Sequence, residues 1–159
     1  MRVMGIDPGT HRTGFGILES SGRDYKLVIC GTIRAASKDP IAKRLLHIFD
    51  SLQKNIQSYK PGVMALETLF FAKDIRAVER IGEARACAML AASKQGIEVI
   101  EYAPTAVKKS VTGNGRASKE QVQFMVKRLL NLREAPALDA SDALALAMCH
   151  LHSSKNKMR

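Results

Sequence analysis

Two apolar runs of this sequence end in an acid. Arg2 to Asp7 is followed at once by Pro8-Gly9, and Val63 to Glu67 runs on into the segment LFFAKD. A hydrophobic strand that ends in an acid delivers it to the sheet edge, where ligands bind in α/β folds. Taken alone, either acid reads better as a solvated strand end. Asp139 and Asp142 add a second pattern, because they open the segment LDASDALALAMCHLH, which is mainly apolar after its first turn. At i, i+3 both carboxylates leave one helix face, with Cβ atoms about 5–6 Å apart. Capping and the helix dipole, worth about 0.3–1 kcal/mol, account well for Asp139 and less well for Asp142. Two like charges against a packed helix are costly unless a cation sits between them. If Asp7, Glu67, Asp139 and Asp142 converge, they form an all-oxygen set suited to Mg²⁺ or Mn²⁺. Such a set could hold two ions about 3.5–4 Å apart, which would supply an activated water and stabilise a leaving oxygen. No side-chain nucleophile is then needed, and the sequence contains neither a G-x-S-x-G elbow nor a P-loop.

A second group of residues suits a polyanion. The net charge is +10 and the pI about 9.8, which points to nucleic acid ahead of a membrane surface. Between Pro104 and Arg128 stand six basic residues, Lys108, Lys109, Arg116, Lys119, Lys127 and Arg128, against one acid, Glu120. Such a patch gives salt-dependent affinity for phosphates, although Lys127 and Arg128 also fit a solvated helical face. Lys73 is a further candidate. Phe70 and Phe71 follow Glu67 closely, and adjacent aromatics in an extended stretch cannot both face the core. An exposed ring beside a metal site can stack on bases or wedge between them; the alternative packs both rings under the next helix. The histidines carry less. His150 and His152 face different directions on one helix, His150 is three turns from Asp139, and His11 and His47 read as surface residues.

The elements that must position these residues can be read in order. Arg2 to Asp7, Gly14 to Glu19 and Tyr25 to Arg34 form an antiparallel meander. A helix then begins at Pro40, with Ile41, Leu45, Ile48, Leu52 and Ile56 on one face, and ends at Pro61-Gly62. Val63 to Glu67 is a strand, Asp74 to Gln95 a long helix closed by Gly96, and Glu98 to Tyr102 a fifth strand. Pro104 to Val111 is a short helix before the loop TGNGRA. Ser118 and Gln121 make a capping box for a helix through Leu130. The last helix runs from Asp139 to about His152. The expected fold is a mixed five-stranded sheet, meander plus parallel strands, with helices on both faces.

The composition bounds the rest. Hydrophobic residues are 46% and charged residues 25% of the 159, which is ordinary for a globular chain. Residues 1–153 are expected to form one domain, with 154–159 a short, basic, frayed tail. Cys30, Cys87 and Cys149 show no paired spacing for zinc or a disulfide framework, which suits a reduced cytoplasm. No apolar stretch is long enough to span a bilayer, the N-terminus offers no signal-peptide pattern, and no membrane partner is expected.

The blocks GIDPGTHRTGFGIL, ALETLFFAKD, VKKSVTGNGRASKEQVQFMV and LDASDALALAMCHLH occur in the order and spacing of the RuvC family of Holliday junction resolvases. The sequence resembles that family over roughly residues 1–153. The resemblance implies a ribonuclease-H-like fold and a Mg²⁺-dependent endonuclease, a crossover junction endodeoxyribonuclease that resolves four-way junctions by paired nicks. The family's four acidic positions fall on Asp7, Glu67, Asp139 and Asp142. Its base-stacking aromatic falls on Phe70, and basic positions implicated in substrate handling fall on Lys108 and Lys119. A homodimer is expected from the family and because two symmetric cuts call for two sites about a two-fold axis, with Asp74 to Gln95 the interface helix. Branch-migration helicase proteins are the expected partners. Two other readings compete. GIDPGT also resembles the phosphate-binding turn of actin- and chaperone-type ATPases, which need a second lobe. A non-catalytic branched-DNA-binding module would leave four acids repelling phosphate.

Overall fold

The computed structural model describes residues 1–21, 24–69 and 74–157. Phe70, Phe71 and Lys73 therefore lie outside the described residues. The strands are β1 (Arg2–Asp7), β2 (Arg12–Ser21), β3 (Asp24–Arg34), β4 (Val63–Glu67) and β5 (Glu98–Tyr102). They form one sheet in the order β3-β2-β1-β4-β5. β1–β2 and β2–β3 are antiparallel, whereas β1–β4 and β4–β5 are parallel. This is the mixed sheet of a ribonuclease-H-like fold.

Alternation along the central strands sends side chains to two cores. On one face Met4, Ile6, Ile17, Met64 and Leu66 pack against α1 (Ile41–Tyr59) and α2 (Ile75–Lys94). From α1 come Ile48, Leu52 and Ile56, and from α2 come Cys87, Ala88, Ala91 and Ala92. The small residues of α2 let it approach α1 closely. On the other face Val3, Leu18 and Ala65 meet α3 (Pro104–Thr112), α4 (Lys119–Leu129) and α5 (Leu138–Lys157). Helix α5 is buried nearly all round from Ala140 to Cys149, as expected of a helix laid across the middle of a sheet.

That helix lies against the backbone of β1 and β2 because three glycines clear its path. A Cβ on Gly5 would overlap the carbonyl oxygen of Ala143 and stand 2.9 Å from the nitrogen of Ala147. One on Gly14 would overlap the carbonyl oxygen of Asp139 and stand 3.0 Å from its Cβ. Gly16, paired directly with Gly5, faces the Leu144 side chain.

The elements match the expected ones with two differences. β2 begins at Arg12, where pairing with Arg34 extends the ladder beyond the apolar run. The segment after His152, expected to fray, stays helical to Lys157. Ser153 and Ser154 donate to the carbonyls of Cys149 and Leu151 at 2.9 and 3.2 Å, which ties the last turns to the helix.

Candidate active site

Asp7 and Glu67 end two neighbouring parallel strands, one position past the Ile6–Leu66 pair. Their carboxylates therefore leave the same sheet edge side by side. The turn after Asp7 is held by the buried Thr13, whose hydroxyl donates to the Gly9 carbonyl at 2.7 Å and accepts from the Gly9 amide at 3.3 Å. Beyond Glu67, the Thr68 amide donates to the Tyr102 carbonyl at 2.9 Å. Arg85 of α2 pairs with Glu101 and donates to the Glu67 carbonyl at 3.4 Å, fixing the end of β4 from below.

Helix α5 brings Asp139 and Asp142 to the same edge, since Gly14 lets its first turn rest on β2. Asp7, Glu67 and Asp142 line one cavity of about 160 Å³ together with Lys108, Lys119 and the apolar wall of Val107, Val122, Ala145 and Leu146. A second groove runs from Asp7 and Glu67 past Thr68 and Leu69 to Ala77, Val78 and Ile81 of α2. Lys119 is the first residue of α4, behind the Ser118–Gln121 capping box. Its Nζ lies 3.1 Å from Asp142 Oδ2.

The electrostatics of this corner are strained toward positive charge. Burial, then the charges of Asp142, Asp139 and Glu67, push the Asp7 carboxyl up to about 7, with Lys119 pulling the other way. Glu67 is raised by burial and by Asp142, against Lys119 and Lys108. Asp142 is raised by burial and by Asp139, although Lys119 opposes the rise. At Lys119 burial opposes the charge, but Asp142, Asp7 and Asp139 outweigh it and hold the ammonium above its ordinary range. One ammonium does not neutralise so many partly buried carboxylates.

Among the described residues no three His, Cys, Asp or Glu side chains already stand in ligating position around a common point. The donor chemistry nevertheless fits a hard divalent ion: Asp7, Glu67, Asp139 and Asp142 offer oxygen alone, at a place where added positive charge relieves both burial and repulsion.

The other residues singled out in the sequence fall elsewhere. Lys109 is exposed on α3 and Arg116 is exposed in the turn before α4; neither lines the cavity. His150 and His152 go separate ways, His150 to the Tyr102 hydroxyl at 2.8 Å and His152 to the Ser110 hydroxyl at 2.7 Å. His47 is exposed, as expected. Sequence reasoning missed the seat formed by Gly5, Gly14 and Gly16, and it missed that Lys119 pairs with Asp142.

Residues 3–150 match the family model for crossover junction endodeoxyribonuclease RuvC. The chain belongs to the RuvC family. It is 43% identical over 157 residues to the crossover junction endodeoxyribonuclease RuvC of Pseudoalteromonas atlantica, covering 99% of this chain and 90% of that protein. With the RuvC protein of Pelotomaculum thermopropionicum it is 46% identical over 153 residues, covering 96% and 93%. Its fold superposes on Thermus thermophilus RuvC in complex with Holliday junction substrate with a TM-score of 0.92 at 30% identity, covering 99% of this chain and 96% of that one. Membership of a nuclease family decides against the ATPase reading of the GIDPGT turn.

Proposed function

We propose that this chain is a Mg²⁺-dependent resolvase that cuts four-way DNA junctions by paired, symmetric nicks as a homodimer. The observation that carries the reading is the convergence of Asp7, Glu67 and Asp142 on one cavity with Lys108 and Lys119, with Asp139 one helical turn away. The full-length likeness to a RuvC bound to junction substrate supports the choice of DNA.

Asp7, Glu67, Asp139 and Asp142 are the residues that would hold two Mg²⁺ ions, with Mn²⁺ able to substitute. When bound, the ions supply an activated water and stabilise the leaving oxygen of the phosphodiester. Lys119 can exchange its carboxylate partner for a backbone phosphate, and Lys108 reaches the same cavity from α3, so the two orient the scissile phosphate against the acids. Lys73, Lys109 and Arg116 would contact the backbone farther out. Phe70 follows the Glu67–Leu69 end of the second groove and would stack on a base near the crossover. Along α2, Ile75, Ile81, Met89 and Leu90 are exposed, Ile75 by 80% and Leu90 by 62%. Exposed apolar side chains on one long helix support α2 as the dimer contact. Branch-migration helicase proteins are the partners the reaction calls for. Free cysteines at Cys30, Cys87 and Cys149 support action in the cytoplasm, and among the described residues no helix is long and apolar enough to cross a membrane.

The test is incubation with a synthetic mobile four-way junction, with and without Mg²⁺. Mg²⁺-dependent paired nicking by wild type, lost in Asp7→Asn while junction binding persists, is the expected result. Substantial cutting by Asp7→Asn would sink the assignment of the acids, and hydrolysis of ATP in a parallel control would revive the ATPase reading.

A further inference from the structure

The sheet edge that carries Asp7 continues in the other direction, across β2 to β3, and there the chain places two arginines opposite each other. Arg12 opens β2 and Arg34 closes β3, and they are direct partners in the ladder. Directly opposed side chains of an antiparallel pair leave the same face, and like charges in that position are destabilising. Both residues are exposed. Among the described residues the ion pairs belong to Arg2, Lys43, Arg80, Arg85 and Lys119, so neither Arg12 nor Arg34 takes a carboxylate. Arg12 is two residues from Gly14 and so shares its face, where α5 begins beside Asp139.

Under the same edge lies a third guanidinium without a counter-ion. Arg44 of α1 is only 9% exposed. Its Nη1 donates to the Thr10 carbonyl at 3.5 Å and stands 3.1 and 3.0 Å from the two ring nitrogens of His11. Its Nε is buried with no hydrogen-bond partner. The nearby start of α1 has no side-chain cap and no acid in its first turn. Arg12 and Arg34 thus present two guanidinium groups without a carboxylate on the α5 face of the sheet, while Arg44, on the α1 face, ties down the turn that leads into Arg12.

We propose that Arg12 and Arg34 clamp a backbone phosphate of the DNA strand that leaves the carboxylates on the β2–β3 side, with Arg44 holding the β1–β2 turn at the base of the clamp. The clamp rests on the junction-nuclease reading of the neighbouring site. Lys108 and Lys119 hold the strand on the β4–β5 side, and the arginine pair holds it on the other. One to two strand spacings, about 5–10 Å, separate β1 from the pair, a step comparable to that between neighbouring phosphates. The strand is thereby gripped on both sides of the acids.

The experiment measures binding of a synthetic four-way junction without divalent metal, between about 50 and 200 mM salt. It compares wild type, Arg12→Ala, Arg34→Ala, the double alanine variant and a double lysine variant. Loss of the shared phosphate in the double alanine variant should lower the log-log salt slope by about one, so wild type loses about three- to fourfold more affinity than that variant across the range, with each single alanine in between. The lysine pair should keep the wild-type slope, because charge at this place is what binds. Thermal melting should be unchanged or raised in the alanine variants, since a like-charge pair has been relieved. A wild-type slope in the double alanine variant would overturn the clamp and leave the pair as charges that guard an edge strand. A slope that stays low with lysine at both positions would also overturn it, tracing the loss to distortion. Either failure alongside normal Mg²⁺-dependent nicking by wild type spares the nuclease reading, whereas absence of nicking by wild type sinks that reading itself.

Discussion

Replacing Asp7 by asparagine should make the metal-free chain more stable at pH 8, although it removes the residue on which nicking is proposed to depend. Asp7 rises from 3.8 to about 7 in the folded chain, through burial and then through Asp142, Asp139 and Glu67. A carboxyl whose folded value is raised binds its proton more tightly in the native state. Its stabilising contribution is therefore complete below the unfolded value and is lost as pH rises through about 7. A rise of about three pH units at about 1.4 kcal/mol each sets a ceiling of about 4 kcal/mol. Asp7 is partly open to solvent, so screening holds the observed loss below that ceiling. Urea unfolding of the metal-free chain from pH 4 to pH 8 should show wild-type stability falling across this window. Asp7→Asn should match wild type near pH 4 and exceed it at pH 8. Mg²⁺ at a hundred times its dissociation constant should return about 2.7 kcal/mol to wild type and much less to the variant. A flat wild-type profile, or an asparagine variant that is the less stable at pH 8, would refute the view that Asp7 is held in an unfavourable charged state for metal binding.

Other perturbations should separate positioning from chemistry. Gly5→Ala must lift α5 off β1 by about 1 Å or more. It should cost about 1–3 kcal/mol in denaturant titrations and about a hundredfold in nicking rate, while Gly62→Ala, with only the Arg2 carbonyl 3.9 Å from its new methyl, should be near neutral in both. Phe70→Ala should slow cutting of a fully paired junction by a stacking loss of about 1–3 kcal/mol, and pre-opened crossover bases should rescue it more than wild type; equal losses on both substrates would refute stacking. Leu90→Glu on the exposed face of α2 should shift the chain toward monomer in analytical ultracentrifugation and turn paired nicks into uncoupled single ones, and a stable dimer of that variant would move the interface off α2.

Much of this was legible because local signals agreed with the global fold. Ile48, Leu52 and Ile56 form the buried stripe that the sequence spacing implies. Ser118 and Gln121 make their reciprocal cap. What escaped the sequence depended on partners distant along the chain. Polar Arg12 joins β2 through the backbone ladder, which extends past the apolar run to the end of β3. The serines after His152 look like a loose end until they are seen to bond the carbonyls of Cys149 and Leu151. The resemblance singles out Lys119 for substrate handling, but only the crossing of α4 and α5 places it on Asp142. Gly5, Gly14 and Gly16 read as strand residues and lie in strands, but the sequence does not show that they seat a helix that begins more than a hundred residues later.

That seat explains how a sheet edge and a helix can share one cluster of acids. A helix separated from the sheet by a layer of ordinary side chains would start farther from β1 and could slide as the layer repacked. Here backbone meets backbone: Ala143 and Ala147 sit over Gly5, and the first turn of α5 sits over Gly14. At Gly5 and Gly14 main-chain atoms of α5 stand where a side chain would be, so the position of Asp139 and Asp142 relative to Asp7 follows largely from main-chain contact. Rigid elements hold a site more narrowly than loops do. The repulsion among these carboxylates cannot be relaxed by the helix moving away without uncovering Leu144, Met148 and Leu151, all of them buried. Apolar burial along the rest of α5 therefore keeps the acids together until a cation relieves them.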